Sequence, residues 1–415
     1  MVKFKRHILD NGMVILLNRD LTTPLVAFNM LYNVGSKHEN ENKTGLAHLF
    51  EHLMFLGTKS VPDFDYYTQK AGGENNAFTN ADITDFYITL PADNIETAFW
   101  LESDRMLNLE LNERKFNTEK KVVIEEFKET VLNLPYGEMW HHLSAMSFKK
   151  HPYRWPTIGK EIGHIEDITL TDALNFYDLY YHPGNAILSI SGNFDEDEVL
   201  KMANKWFGHI SKTAKMEKAL PEEPFQRQKH HKIIHDNVPA DAVFLAFHTE
   251  GRKNKNFYAQ DLVSDFLGRG TSARLYQKLV KEKEVFSEIN AYITGTLDPG
   301  LLIIEGIVSQ AYDSQEAATI LKKELVDFKN EEIKEHELEK VKNKIENQME
   351  FSETGILNKA INLAQYELLG DASLINRQTQ LYQEVKTTDI LYHANEIFQE
   401  TNCSELIYLK PKTSG

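Results

Sequence analysis

The run His48-Leu49-Phe50-Glu51-His52 has the residue types and spacing that metal-assisted hydrolysis needs. Two histidines four positions apart on a helix stand one above the other on one face, so both imidazoles can reach a single cation. Glu51 follows His48 by three positions and lies near that face, within reach of water on the cation. Imidazole suits zinc, and a catalytic zinc takes three protein ligands and keeps one position open. Water on zinc has its pKa lowered to roughly 7, so a nearby carboxylate can accept its proton at neutral pH. The same spacing also arises by chance on amphipathic helices, so the motif needs company.

A carboxylate is the chemically sensible third ligand. The helical pattern from Asn112 to Leu132 carries Glu119, Glu125, Glu126 and Glu129, with Phe116, Val122, Val123, Ile124 and Phe127 as its apolar residues. Glu119 and Glu126 are seven positions apart and share a stripe. Taken bare, these acids read as a solvated helix face, and spacing does not choose among them.

The elements around these residues follow from periodicity. Asp10-Asn11-Gly12 between apolar runs predicts a hairpin of Lys5–Leu9 and Met13–Leu17. A strand is expected over Leu25–Val34, and Gly45–Phe55 has helical spacing. Tyr66–Ala71 reads as a short helix, and Asn76–Thr79 and Thr84–Leu90 as strands. Two long helical patterns, Ile95–Asn108 and Asn112–Leu132, precede a buried strand in Ala186–Phe194. Interleaved strands and helices point to an α/β class, an α+β sandwich with each sheet covered by helices.

Ser211–Lys232, rich in Lys and Glu with Pro221 and Pro224, is the expected linker. It divides a domain over 1–210 from a second over 233–415. The pattern then restarts, with a strand at Ala242–Phe247 and a helix from about Tyr258. Sliding Gly57-Thr58 onto Gly270-Thr271 brings His48, Glu51 and His52 onto Asp261, Ser264 and Asp265. This is a weak internal repeat whose second copy lacks the histidines.

Bulk properties exclude several classes. A chain of 415 residues with 41% hydrophobic and 26% charged residues is globular and long enough for two domains. A net charge of −16 excludes a basic nucleic-acid stripe. No run of 18 apolar residues suggests a membrane span. The one cysteine, Cys403, excludes an internal disulfide and a thiolate cluster and is expected in the core. The N-terminal stretch lacks the apolar run of a signal peptide, so the expected location is a reducing compartment, the cytoplasm.

The string Gly45-Leu-Ala-His-Leu-Phe-Glu-His-Leu-Met-Phe-Leu-Gly-Thr58 resembles the inverted zinc motif of the pitrilysin/insulinase family of metallopeptidases. Further landmarks appear in order. They are Gly35-Ser36 with Glu39, and Gly72-Gly73 followed by Asn76-Ala77-Phe78-Thr79, Asp82, Thr84 and Tyr87. Val122-Val-Ile-Glu-Glu126, His151-Pro-Tyr and Tyr180-Tyr-His-Pro-Gly-Asn-Ala186 follow. The resemblance spans most of residues 1–200 and, more loosely, the second half.

The resemblance implies His48 and His52 as zinc ligands, Glu51 as general base, Glu126 as third ligand and Glu119 as a supporting acid. Glu129 would suit a longer gap between ligands. It implies one Zn2+ per chain and peptide substrates laid along Asn76, Ala77, Phe78 and Thr79 by strand addition. It also implies a working unit of two chains, a homologous partner or a homodimer, enclosing a chamber. One departure stands out. The family's substrate-binding arginine and tyrosine fall on Val280 and Ser287 here, which points to a partner supplying them. The alternative is a metal-retaining subunit that binds peptides or assembles a complex without turnover.

Overall fold

Gly12 takes the positive φ of 89° that the Asp10-Asn11-Gly12 turn requires, and the flanking strands β1 (Lys5–Ile8) and β2 (Val14–Arg19) pair antiparallel. In the computed structural model residues 1–211 and 219–411 are described, so 212–218, near the start of the expected linker, lies outside the described residues. The chain forms two compact units. The first comprises Met1–Phe127, Trp155–Leu220 and Gln348–Arg377; the second comprises Lys128–Arg154, Pro221–Asn347 and Gln378–Gly415.

The first unit holds a six-stranded sheet. To β1 and β2 it adds β3 (Leu25–Tyr32), β4 (Glu74–Thr79), β5 (Thr84–Pro91) and β6 (Ala186–Gly192), in the order β1-β2-β6-β3-β5-β4. Only β2 and β6 run parallel. Every residue of β6 is buried, because helices cover both faces of the sheet. The helices that matter for the site are α1 (Leu46–Leu53), α2 (Phe64–Lys70), α3 (Ile95–Asn108) and α4 (Glu113–Phe127). On one face Phe99 of α3 meets Phe28 edge to face at 5.0 Å. On the other, the late helix Ile356–Leu368 sets Leu363 and Ala364 among Leu16, Leu31 and Ile187.

The second unit repeats the pattern with β7 (His230–His235), β8 (Ala242–Thr249), β9 (Phe286–Ile293), β10 (Gly300–Val308) and β11 (Cys403–Leu409). Their order is β7-β11-β8-β10-β9, with β7 and β11 parallel and the other pairs antiparallel. Strand for strand this matches β2-β6-β3-β5-β4, directions included. Both sheets are thus mainly antiparallel and helix-covered, as the sequence predicts. Cys403 is buried at the start of β11.

Three expectations are corrected. The linker does not run to Lys232, because His230–His235 pairs with β11. The units are not consecutive pieces of chain, as a division at 211–232 implies. The first sheet takes its second cover from Ile356–Leu368, while the helix Met139–Ser147 packs on β8 and β11 of the second. Each sheet is completed by a helix from the opposite half of the sequence. Finally, Val122 is 45% exposed and does not join the apolar stripe of α4, which buries Phe116, Val123 and Phe127. Among the described residues, no helix is long and apolar enough to cross a membrane.

Candidate metal centre

Helix α1 forms because Leu46, Ala47, Leu49, Phe50 and Leu53 give it one apolar face, and all five are buried. Phe50 stacks on Tyr181 at 4.5 Å, fixing the helix rotation. His48, Glu51 and His52 are left on the half-open side. Helix α4 presents its acids to that side, with Phe116, Val123 and Phe127 turned inward.

His48, His52 and Glu126 each bring a ligand atom to one point, all within 4.8 Å of one another. His48 Nε2 lies 3.8 Å from Glu126 Oε1, and His52 Nε2 lies 3.5 Å from Glu126 Oε2. Ligands at zinc–nitrogen and zinc–oxygen distances of about 2.0–2.2 Å in a tetrahedron stand about 3.3–3.6 Å apart. The three side chains therefore fit zinc with small adjustments, and two imidazoles with one carboxylate are a fitting donor set. Glu119 Oε2 stands 3.7 Å from His52 Nδ1, where it can orient that ring. Glu125 is exposed, and Glu129 sits on the π-helical turn Lys128–Leu132 that follows α4.

The electrostatics suit a cation. Burial and the neighbouring His52 push the His48 imidazole down to about 4, so it is neutral near pH 7 and its Nε2 lone pair is free for a metal. His48 Nδ1 is buried without a hydrogen-bond partner. Burial raises the Glu51 carboxyl above the usual range; the nearby Thr79 hydroxyl and His52 oppose that rise.

Thr79 is on β4, the edge strand of its sheet, whose one neighbour is β5. Residues alternate along a strand, so Ala77 shares the α1 side with Thr79. Asn76 Oδ1 accepts from the Ala77 N–H at 2.8 Å. Phe78 points the other way and packs against the core around Leu31 and Ile187. Of the four residues expected along a substrate, Phe78 is therefore committed to the core, and a peptide would meet its main chain.

Two family models match the chain. One, described as insulinase (peptidase family M16), covers residues 14–161, and the other, the peptidase M16 inactive domain, covers 167–345. The chain is 30% identical to the zinc protease PqqE of Helicobacter pylori, over 97% of this chain and 92% of that one. The chain belongs to peptidase family M16. It is also 28% identical to the mitochondrial-processing peptidase subunit beta of Caenorhabditis elegans, over 43% of this chain and 39% of that one. A crystal structure of a protease from H. pylori superposes with a TM-score of 0.92 and 28% identity, covering 99% and 100% of the two chains. The family boundary near residue 161 to 167 falls well before the expected linker.

The two positions onto which the resemblance placed an arginine and a tyrosine lie in the second unit. Val280 lies on the π-helical turn Tyr276–Glu282, and Ser287 on β9 hydrogen-bonds the Ile307 carbonyl. Neither carries a guanidinium or a phenol. Arg274, six residues before Val280, is spent on Glu331 and Glu337 at 3.0 and 3.1 Å. Sequence reasoning left one residue without a role: Glu39, buried beside the first turn of α1. Its burial and its contacts with Gly45 and Ala47 come only with the fold.

Proposed function

We propose that this chain is a zinc-dependent endopeptidase acting on short or unfolded peptides, with a homologous partner supplying the missing arginine and tyrosine. The observation that carries this reading is the convergence of His48, His52 and Glu126, with Glu51 on the turn of α1 between the two histidines. His48, His52 and Glu126 would hold the metal, with Glu119 orienting His52. When bound there, zinc supplies Lewis acidity toward water and toward a peptide carbonyl.

The rest falls to the chain's own side chains. β4 receives an extended peptide by main-chain hydrogen bonds, which reads backbone more than sequence. Glu51 takes a proton from the attacking water and returns it to the departing amine. α1, which carries Glu51, packs on β4, so substrate and base share one support.

A partner is favoured because Val280 and Ser287 cannot stabilise a developing oxyanion, a loss that typically costs about 10²–10³ in rate. The same observation favours a second reading, a metal-retaining subunit that binds peptides without turnover. Cleavage of a mixed library of short peptides separates the two. The zinc-loaded chain should hydrolyse them, alone or with a homologous subunit added, and Glu51→Gln should lower this by about 10²–10⁴-fold while zinc stays bound. Hydrolysis that persists undiminished in Glu51→Gln rules out the proposed base; no hydrolysis under either condition leaves the binding subunit.

A further inference from the structure

The loop Gly35–Glu39 touches both parts of the site. At one end it grips the β4–β5 turn. Ser36 and Lys37 donate their N–H groups to the carbonyls of Asn80 and Ala81 at 3.1 and 3.0 Å. The Lys37 ammonium pairs with Asp82 at 2.7 Å, both side chains less than a tenth exposed. A side chain at position 35 would put its Cβ 2.3 Å from the Asn80 carbonyl, so glycine alone permits this approach.

At the other end the loop grips the metal helix. Glu39 is 4% exposed and accepts from the Ala47 N–H at 2.8 Å and the Gly45 N–H at 3.0 Å. The Trp155 indole N–H, at 3.1 Å, bonds both Glu39 and the Ser36 carbonyl and holds the carboxyl in place. A helix leaves its first N–H groups without partners, and a side-chain oxygen usually fills that need from the capping position. Here that position is Gly45, at a φ of 92° and with no side chain to offer. Glu39 supplies the acceptor from outside the helix. α1 is only eight residues long, and the residue after Ala47 is His48. Short helices depend on such support, because nucleation is costly.

We propose that Glu39 is a positioning residue for the metal centre. It sets the first turn of α1, and through Lys37 and Asp82 the same loop sets the β4–β5 turn, so that ligands, base and docking strand keep one register. This rests on the metal-dependent reading above. Burial pushes the Glu39 carboxyl up to about 8 against the pull of its N–H donors. Its partners, the Gly45, Ala47 and Trp155 N–H groups, are all donors, the set that a carboxylate accepts from.

The test is zinc affinity, measured by competition with a chromophoric chelator, in the wild-type chain, Glu39→Gln and Glu39→Ala. Far-UV circular dichroism checks folding, and the visible spectrum of cobalt-substituted protein reports ligand geometry. Glu39→Ala is expected to bind zinc about 10–100-fold more weakly, in the range seen when groups supporting metal ligands are removed. Glu39→Gln keeps one acceptor and is expected to fall between it and wild type, with a shifted cobalt band in both. A folded Glu39→Ala that binds zinc within twofold of wild type, with an unchanged cobalt spectrum, overturns the proposal. If the alanine variant does not fold, Glu39→Gln decides by the same criterion. Wild-type protein that binds no zinc would instead sink the metal-dependent reading on which the proposal rests.

Discussion

The helix α1 lies against β4, and the helix Phe257–Gly268 lies against β9, each an edge strand of a sheet with the same order. The likeness reaches single hydrogen bonds. Asn76 Oδ1 accepts from the Ala77 N–H at 2.8 Å, and Asn290 Oδ1 accepts from the Ala291 N–H at 3.0 Å. Gly35 and Gly251 each abut the hairpin turn of their own sheet. Where α1 leaves His48, Glu51 and His52 on a half-open face, Phe257–Gly268 is buried nearly all round. Its acids are occupied: Tyr382, from the helix Gln378–Gln383, donates to Asp261 at 2.5 Å, and Arg269 pairs with Asp265 at 3.2 Å. One framework thus serves chemistry when the helix face stays open opposite an acidic helix, and packing when another helix closes it.

The largest expected difference is in hydrolysis. Glu51→Gln should lower peptide cleavage by about 10²–10⁴-fold, the usual worth of a positioned general base. Ser264→Ala, at the matching place in the second unit, should leave cleavage unchanged; a comparable loss there would break the division of labour. Metal affinity comes next. Glu119→Gln should weaken zinc binding by about 10–100-fold through the loss of support for His52, whereas Asp265→Asn should not alter it. Isothermal titration or chelator competition reads both.

The stability of the second unit gives a smaller effect. Tyr382→Phe should cost about 1–3 kcal/mol in denaturant unfolding at pH 7, because Asp261 loses its donor. Zinc content should not change. Two pH slopes of opposite sign, which offset one another in the wild type, come last. In the metal-free chain His48 falls from 6.5 to about 4 on folding, so the folded state binds fewer protons between those values and stability is lost as pH drops through them. Desolvation raises Asp261 from 3.8 to about 6, so its contribution is present below 3.8 and lost as pH rises through 6. Unfolding free energy measured from pH 4 to 6.5 should therefore rise less with pH in His48→Gln and more in Asp261→Asn. Equal slopes in both variants and wild type would contradict these assignments.

Much of this was legible in the chain itself. The hairpin at Gly12 and the helix around His48 follow from local signals, a turn glycine and a period of 3.6. The repeat was visible as Gly57-Thr58 against Gly270-Thr271 because each glycine takes a positive φ in the turn after its helix, a mark left twice. Which sheet a helix covers leaves no such mark. Ile356–Leu368 and Met139–Ser147 are amphipathic, and amphipathicity does not name the partner surface, so the exchange of covering helices stayed hidden. Glu126 and Glu129 could not be ranked by spacing alone, since the choice depends on how α4 lies against α1. Glu39 passed without a role because its acceptor function depends on contacts with Gly45 and Ala47 that exist only once the loop folds back.

The central claim is that only the first of the two matched helices holds metal. Zinc content per chain after exhaustive dialysis, measured by mass spectrometry, tests it most directly in the wild type, His48→Ala/His52→Ala and Asp261→Asn. The account predicts one zinc in the wild type and in Asp261→Asn, and none in the double histidine variant. Zinc retained by the double variant, or lost from Asp261→Asn alone, would contradict it.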